Sequence, residues 1–417
     1  MVLLFGCSDD GVPADTDAAV SATGATSPTS DSSPGASSGG IETTDPTDPS
    51  GPSSTSSATD PTIGGSSTGF DPSGSSSTGG DLPPGEPRIY VAGGNAVSVW
   101  DVDDAGALTE VQRADQGTNV GPLADYEAQF LYAARTGEQS VAAFSIDPTT
   151  GALTELGVTP VGHTPVYLSV DATGSWLLSA DFGADLVEIR PLEADGTVGD
   201  TPSQSMTVQS RPHAIEFDPA GTNVFVPHRD SNLIEQYAFD DTTGTLTAND
   251  PPSVAAPDGA GPRHIAFAPD ASYAYVVNEF ASSVTAYAYD SASGVLTQGD
   301  TVSALPPGFM GENTGADIHV SLDGAYVYAS MRGDDSLAVF AAGGDGSLTY
   351  QTNVPTEPRP RDFGLDPFGN FLYAAGQDSG LLAGYTIEAD GNLTAGATYD
   401  VGANAQWVLG VELPAAR

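Results

Sequence analysis

Lysine is absent from the whole chain, and its eleven basic side chains, all arginine, face 55 aspartates and glutamates. The resulting net charge of −44 argues against nucleic acid or an anionic membrane as a partner of the folded body. It keeps the chain soluble by self-repulsion, which a salty medium would screen. Cysteine is reduced to Cys7, so no internal disulfide can form. The five histidines lack the close pairing of a zinc site and no Cys cluster accompanies them. The folded body carries no Gly-x-Ser-x-Gly elbow for Ser-His-Asp chemistry. No metal or cofactor is therefore expected. No apolar run approaches the ~20 residues that cross a bilayer, and no segment combines a helical period with caps.

What is present changes abruptly near position 86. Before it stand almost only Ser, Thr, Gly, Pro, Asp and Ala, as in Ser53-Ser54-Thr55-Ser56-Ser57. Such a stretch has too little apolar surface to offset the entropy of ordering it, which predicts a disordered tether over 8–86. Upstream, Leu4-Phe5-Gly6-Cys7 resembles the lipobox of bacterial lipoproteins, in which the cysteine is acylated. Segment 1–7 is accordingly expected to be a truncated signal with Cys7 as the lipidation site. This points to the cell envelope or surface, with secretion or the cytoplasm as alternatives. Any membrane contact is expected only through that lipid. The rest, 87–417, is rich in Val, Tyr, Phe, Leu and Ala and long enough for a large core.

That body is repetitive. A Gly-x-Leu-Thr turn recurs at Gly106, Gly151, Gly244, Gly346 and Gly391, with Gly294-Val295-Leu296-Thr297 in the same pattern. A degenerate copy, Gly196-Thr197-Val198-Gly199, fills the one gap. Each glycine is suited to the positive φ of a tight turn between strands. Every repeat also holds three short alternating runs, such as Ala214-Ile215-Glu216-Phe217, Asn223-Val224-Phe225-Val226-Pro227 and Leu233 to Phe239. With the Leu-Thr run these make four strands per repeat, the proportion of a propeller blade. The expected fold is all-β, a seven-bladed propeller. Arg88-Ile89-Tyr90-Val91 matches a second strand and Trp407-Val408-Leu409-Gly410-Val411 a first, so the C-terminal strand should close the ring in the N-terminal blade. The first strand of the repeat around Gly121 to Ala128 reads as the weakest.

Superposing the repeats shows where the scarce cations go. The residue just before the innermost strand is in turn Val166, His213, Arg263, Ala316, Arg361 and Gln406. The residue ending the second strand is Thr136, Phe182, Arg229, Glu279, Arg332 and Gln377, preceded by Arg135, Asp181, His228 and Asn278 among others. In a propeller both positions gather at one mouth of the central channel. Arg135, Arg211, Arg229, Arg263, Arg332, Arg359 and Arg361 all fall there, with His213, His228 and His264. Guanidinium groups hold carboxylate or phosphate bidentately, so the mouth reads as an anion-binding pocket. The competing reading is bracing, with these arginines paired to loop acids such as Asp334, Asp335 and Asp362. For Arg135 or Arg229 alone the two stand level. Asp147, Asp218 and Asp366 occupy turn positions and read as turn formers.

The same segments resemble the lactonase family of seven-bladed propellers, which includes 6-phosphogluconolactonases and carboxymuconate-cyclising enzymes. The resemblance spans about Arg88 to Leu413. It is carried by Arg211-Pro212-His213-Ala214-Ile215, Gly261-Pro262-Arg263-His264-Ile265, Val276-Val277-Asn278-Glu279, Asp317-Ile318-His319-Val320, Arg332-Gly333-Asp334-Asp335-Ser336 and Pro360-Arg361-Asp362-Phe363. It implies a catalytic set of His213, Arg263, Glu279 and Arg332, all in the two rings described above. Arg361, His264, Asn278, Arg229 and Gln377 are expected to bind substrate. Departures are Asp317 where the family often has Glu, Met331 where it has Asn, and Asp334 where it has His.

The chemistry this implies is ring-opening hydrolysis of an anionic or sugar lactone. Arg263 and Arg332 would hold the substrate's anion and stabilise developing negative charge. His213 would act as base towards water or as acid towards the leaving oxygen, and Glu279 would orient a cationic partner or transfer the second proton. The alternatives are a muconate-type lactonising cyclase and a non-catalytic surface propeller that binds anionic small molecules or a partner. The expected partner is a small anionic lactone or carboxylate.

Overall fold

The computed structural model describes residues 85–415; Cys7, the lipobox-like segment and the tether expected before them lie outside the described residues. Among the described residues the chain forms 28 strands, numbered β1 to β28 in chain order, and no helix. They build seven four-stranded antiparallel sheets, the blades. As the terminal phases required, β28 (Ala405–Leu413) is the innermost strand of the sheet that continues with β1 (Glu86–Gly93), β2 (Ala96–Val102) and β3 (Leu108–Asp115). β28 and β1 pair from Glu86↔Leu413 to Gly93↔Ala405. The first strand thus starts one residue before the expected boundary at 87.

The other innermost strands are β4 (Val120–Tyr126), β8 (Tyr167–Val170), β12 (Glu216–Phe217), β16 (Pro262–Phe267), β20 (Gly315–Val320) and β24 (Pro360–Leu365). Two expectations about them are corrected. β4 is a full seven-residue strand; its sequence reads weakly because the following turn puts Glu127 and Ala128, rather than glycine, at positive φ. The weak member is β12, where Ala214 and Ile215 are not paired and only Glu216 and Phe217 are. The chain enters it through Arg211 at φ 61° and Pro212, which leaves an isolated bridge at Pro212↔His228. The degenerate repeat also differs, since its outer strand β11 (Gln204–Thr207) starts late, after an isolated Leu192↔Val198 bridge.

The core lies between blades rather than within one. Tyr275, Val277 and Val284 of the fifth blade, for example, pack on Ile318, Val327 and Phe340 of the sixth. Second strands are therefore buried on both faces, as in β21 (Tyr326–Met331), while outermost strands alternate towards water.

The recurrent glycines lock these interfaces. All seven have positive φ, from 61° to 86°. Most also seat an aromatic ring from the second strand of an adjacent blade. A Cβ on Gly391 would fall 2.1 Å from the Tyr326 ring, on Gly244 2.3 Å from Trp176, and on Gly346 2.2 Å from Tyr273. Two residues further along the same strands, tyrosine hydroxyls donate to the glycine carbonyls: Tyr328 to Gly391 at 3.0 Å and Tyr373 to Gly106 at 2.9 Å. Gly391→Ala should therefore cost about 2–4 kcal/mol, the sum of left-handed strain and overpacking. Gly308 has φ 85° with nothing within 4 Å of an added Cβ, so Gly308→Ala should cost only about 1 kcal/mol. Urea midpoints of the two variants measure the difference, and equal losses would leave conformation alone as the reason for glycine.

Candidate functional site

All innermost strands begin at one mouth of the channel, and the antiparallel second strands return to it. This places Arg263, near the start of β16, beside Glu279, which follows β17 (Tyr273–Asn278), and Arg332, which follows β21. Arg229 follows β13 (Asn223–His228) in the same way. The four meet. The buried Glu279 carboxylate accepts from Arg229 Nη1 at 3.0 Å and lies 3.2 Å from Arg332 Nη2, both through Oε1. Its Oε2 is 3.4 Å from Arg263 Nε. Three guanidinium groups from three consecutive blades thus share one carboxylate, and Arg229 Nε also donates to Asp230 Oδ1 at 2.8 Å. Arg332 Nη2 also donates to Gly315 O at 3.3 Å, and Arg263 Nη1 to Ala316 O.

His213 lies beside this cluster. It is fully buried, held by its backbone N–H on Pro227 O at 3.0 Å, with its ring against Phe182 and His264 at 5.2 and 5.3 Å. The guanidinium groups of Arg211 and Arg229 stack on Phe182 at 4.8 and 4.4 Å, a cation–π arrangement that stiffens the rim. Arg361, on β24, is buried.

Other expected members make contacts within and between the blades. Both donors of the buried Asn278 amide turn into its own blade, to Ser283 Oγ and Thr285 Oγ1. Gln377 donates to Asn404 Oδ1 at 3.0 Å, tying the last blade to the first. Arg135 pairs with Glu138 and donates to Gln116 O, and His228 with Glu235. Of the acids named as bracing partners, Asp334 accepts from Ser336 Oγ and Asp335 from the Arg359 backbone N–H, while Asp362 lies on β24, not in a loop, and is attracted by Arg263 and Arg361.

His264 sits deeper than the sequence register implied. It lines a cavity of about 520 Å³ whose walls also include Tyr167, Glu216, Asp317, His319, Asp362 and Trp407. Burial and the adjacent Arg263 charge lower the His264 pKa to about 4. Burial works to raise Asp317, but attraction to His319 and hydrogen bonds from His264 and His319 outweigh it and hold the carboxyl far below its usual range. Burial, reinforced by the Asp317 charge, pushes Asp362 well up, and burial pushes Glu216 to about 7. The sequence signal for this tier was the Asp317-Ile318-His319 spacing, which puts acid and imidazole on one face of a strand. His264, Asp317 and Asp362 offer ligand atoms within 4.8 Å of one another. Both His264 nitrogens are already engaged, Nδ1 with Asp317 and Nε2 with Arg263, so a cation bound through His264 would have to displace one of these contacts.

A family model described as Lactonase, 7-bladed beta-propeller matches residues 88–409. Over 325 residues the chain is 33% identical to a 6-phosphogluconolactonase of Serratia proteamaculans, covering 77% of this chain and 97% of that protein. It is 36% identical, with the same coverage, to a 6-phosphogluconolactonase of Pectobacterium atrosepticum. A periplasmic gluconolactonase of Pseudomonas aeruginosa superposes with a TM-score of 0.73 at 24% identity, over 79% of this chain and 100% of its own. At that identity the likeness is one of fold.

The lowered His264 pKa has a consequence for stability. Between about pH 4 and 6.5 the unfolded imidazole binds a proton that the native one refuses, so stability falls as pH drops through that window. The loss attributable to His264 should be about 3 kcal/mol. Urea unfolding at pH 7 and at pH 4.5 should show His264→Gln losing less stability between the two than wild type; equal losses would mean His264 is not the responsible group.

Proposed function

The chain belongs to the lactonase family of seven-bladed β-propellers, and from that premise we propose that its arginine-lined mouth is where it opens the ring of an anionic or sugar lactone. The observation that carries this reading is the convergence of Arg229, Arg263 and Arg332 on the single carboxylate of Glu279. Guanidinium groups gathered at one buried carboxylate are complementary to a phosphate or carboxylate and to the oxyanion formed during acyl transfer. The chain is a 6-phosphogluconolactonase-like hydrolase, and a sugar lactone bearing an anionic group is the substrate class that fits.

In this mechanism Arg263 and Arg332 hold the substrate's anion and stabilise charge on the carbonyl oxygen. His213 takes a proton from water as the oxygen adds to the carbonyl carbon. The ring C–O bond then breaks, and the proton passes to the leaving oxygen. Glu279 keeps the guanidinium groups together despite their mutual repulsion. The Cys7 motif and the tether composition support a place in the cell envelope, where an unphosphorylated sugar lactone would be the accessible member of the class.

Each turnover releases a hydroxy acid that ionises, so pH-stat titration with gluconolactone and with 6-phosphogluconolactone tests the reading directly. Arg263→Ala and Arg332→Ala should each lower kcat/KM by about 10²–10³-fold, the usual effect of removing one oxyanion donor. Anion binding without turnover on either lactone would instead identify a binding propeller.

A further inference from the structure

The same guanidinium that faces Glu279 is held from below by a second line of groups. Arg263 Nη1 reaches Ala316 O and His264 Nε2, the latter at 3.2 Å. His264 Nδ1 lies 2.8 Å from Asp317 Oδ1. Asp317 is itself fixed: its Oδ2 accepts the Phe363 N–H at 3.2 Å and faces His319 Nε2 at 3.1 Å, and its backbone N–H donates to Ser330 Oγ at 3.0 Å. Aromatic neighbours pin the imidazole, with Tyr167 edge-on at 5.2 Å and Trp407 at 6.0 Å.

Protons can be assigned along this line from chemistry alone. A guanidinium has donors and no acceptor, so His264 Nε2 must present its lone pair to Arg263. The ring proton then resides on Nδ1, where it donates to the Asp317 carboxylate. Were the proton on Nε2, two N–H groups would meet head-on at 3.2 Å. We propose that His264 and Asp317 are positioning residues for Arg263, with Asp317 locking the imidazole in the one tautomer that can accept from the guanidinium. Two acceptors on Nη1 fix the guanidinium plane and keep its Nε edge towards Glu279. Burial, which keeps His264 neutral, preserves the acceptor at neutral pH. The inference rests on the reading of Arg263 as a substrate-binding group.

Asp317→Asn replaces the pure acceptor by an amide that can also donate to Nδ1, so the Nε2–H tautomer becomes accessible, and that tautomer turns the Arg263 guanidinium away from His264. Nitrogen-15 imidazole spectra should show His264 protonated at Nδ1 in wild type and a mixture in Asp317→Asn. Lactone turnover by Asp317→Asn should fall by about a hundredfold, the effect of a misplaced catalytic group. His264→Gln, which keeps an acceptor facing Arg263, should retain most of the activity that His264→Leu loses. An Nε2-protonated His264 in the wild-type spectrum overturns the proposal whatever the variants do. So does unchanged turnover in Asp317→Asn when Arg263→Ala is inactive. If Arg263→Ala itself turns over normally, the functional reading fails instead, and the tautomer result stands apart from it.

Discussion

Seven blades close into a ring only if each can press its turn against its neighbour without a side chain in the way. The glycine seats supply that constraint. A ring such as Tyr326 or Trp176 occupies the space a Cβ would need, and tyrosine hydroxyls such as that of Tyr328 tie the glycine carbonyl to the same strand. The spacing of blades around the axis follows from these contacts. The spacing in turn decides which side chains meet at the channel mouth. Residues from three consecutive blades reach Glu279 because the ring holds their strand ends within hydrogen-bonding distance of one another.

At the mouth, repulsion among arginines is the force to be overcome. Glu279 offsets part of it, and stacking of Arg211 and Arg229 on Phe182 spreads their charge over an aromatic face. Below, Ala316 O and His264 take up Nη1 of Arg263. The site is thus arranged in two tiers. The upper tier presents cations, and the lower one aims them through neutral or anionic acceptors.

The fold was legible because it is written seven times. One degenerate turn at Gly196 could be filled from its neighbours, and the chain ends were assigned by phase. The close approach at the glycines was invisible, since a sequence shows that a residue lacks a side chain but not what occupies the vacated space. Misjudgement fell on local backbone: β4 spans seven residues, with a break in its pairing between Val120 and Leu123, although its turn uses Glu127 and Ala128, and β12 is clipped although Ala214 and Ile215 are apolar and buried. At the site, the register grouped Arg263, Glu279 and Arg332 correctly because all end or begin strands at one face. It failed to separate His264 from Arg263, because adjacent strand residues point to different surroundings. It placed Asn278 and Gln377 by position, and their hydrogen-bond partners Ser283, Thr285 and Asn404 sit on neighbouring strands or blades, which the register does not show.

Each blade has two edges: the seven inner ones line the channel, where they are sheltered, and the seven outer ones lie at the circumference. The outermost strands, among them β3, β7 (Leu153–Pro160), β15 (Thr245–Ala255), β19 (Val295–Ser303) and β27 (Leu393–Asp400), leave one side of each sheet unpaired. Such rows of N–H and C=O groups are templates for joining another chain. Proteins commonly guard them with lysine, which this chain does not possess. Here Glu110, Asp115, Glu155, Asp250, Asp300 and Asp400 stand on the edges, and Pro251 and Pro252 interrupt the longest of them. The acidity that first read as a statement about partners is therefore also a defence against fibrous self-association. Its strength depends on how well the surrounding medium screens negative charge.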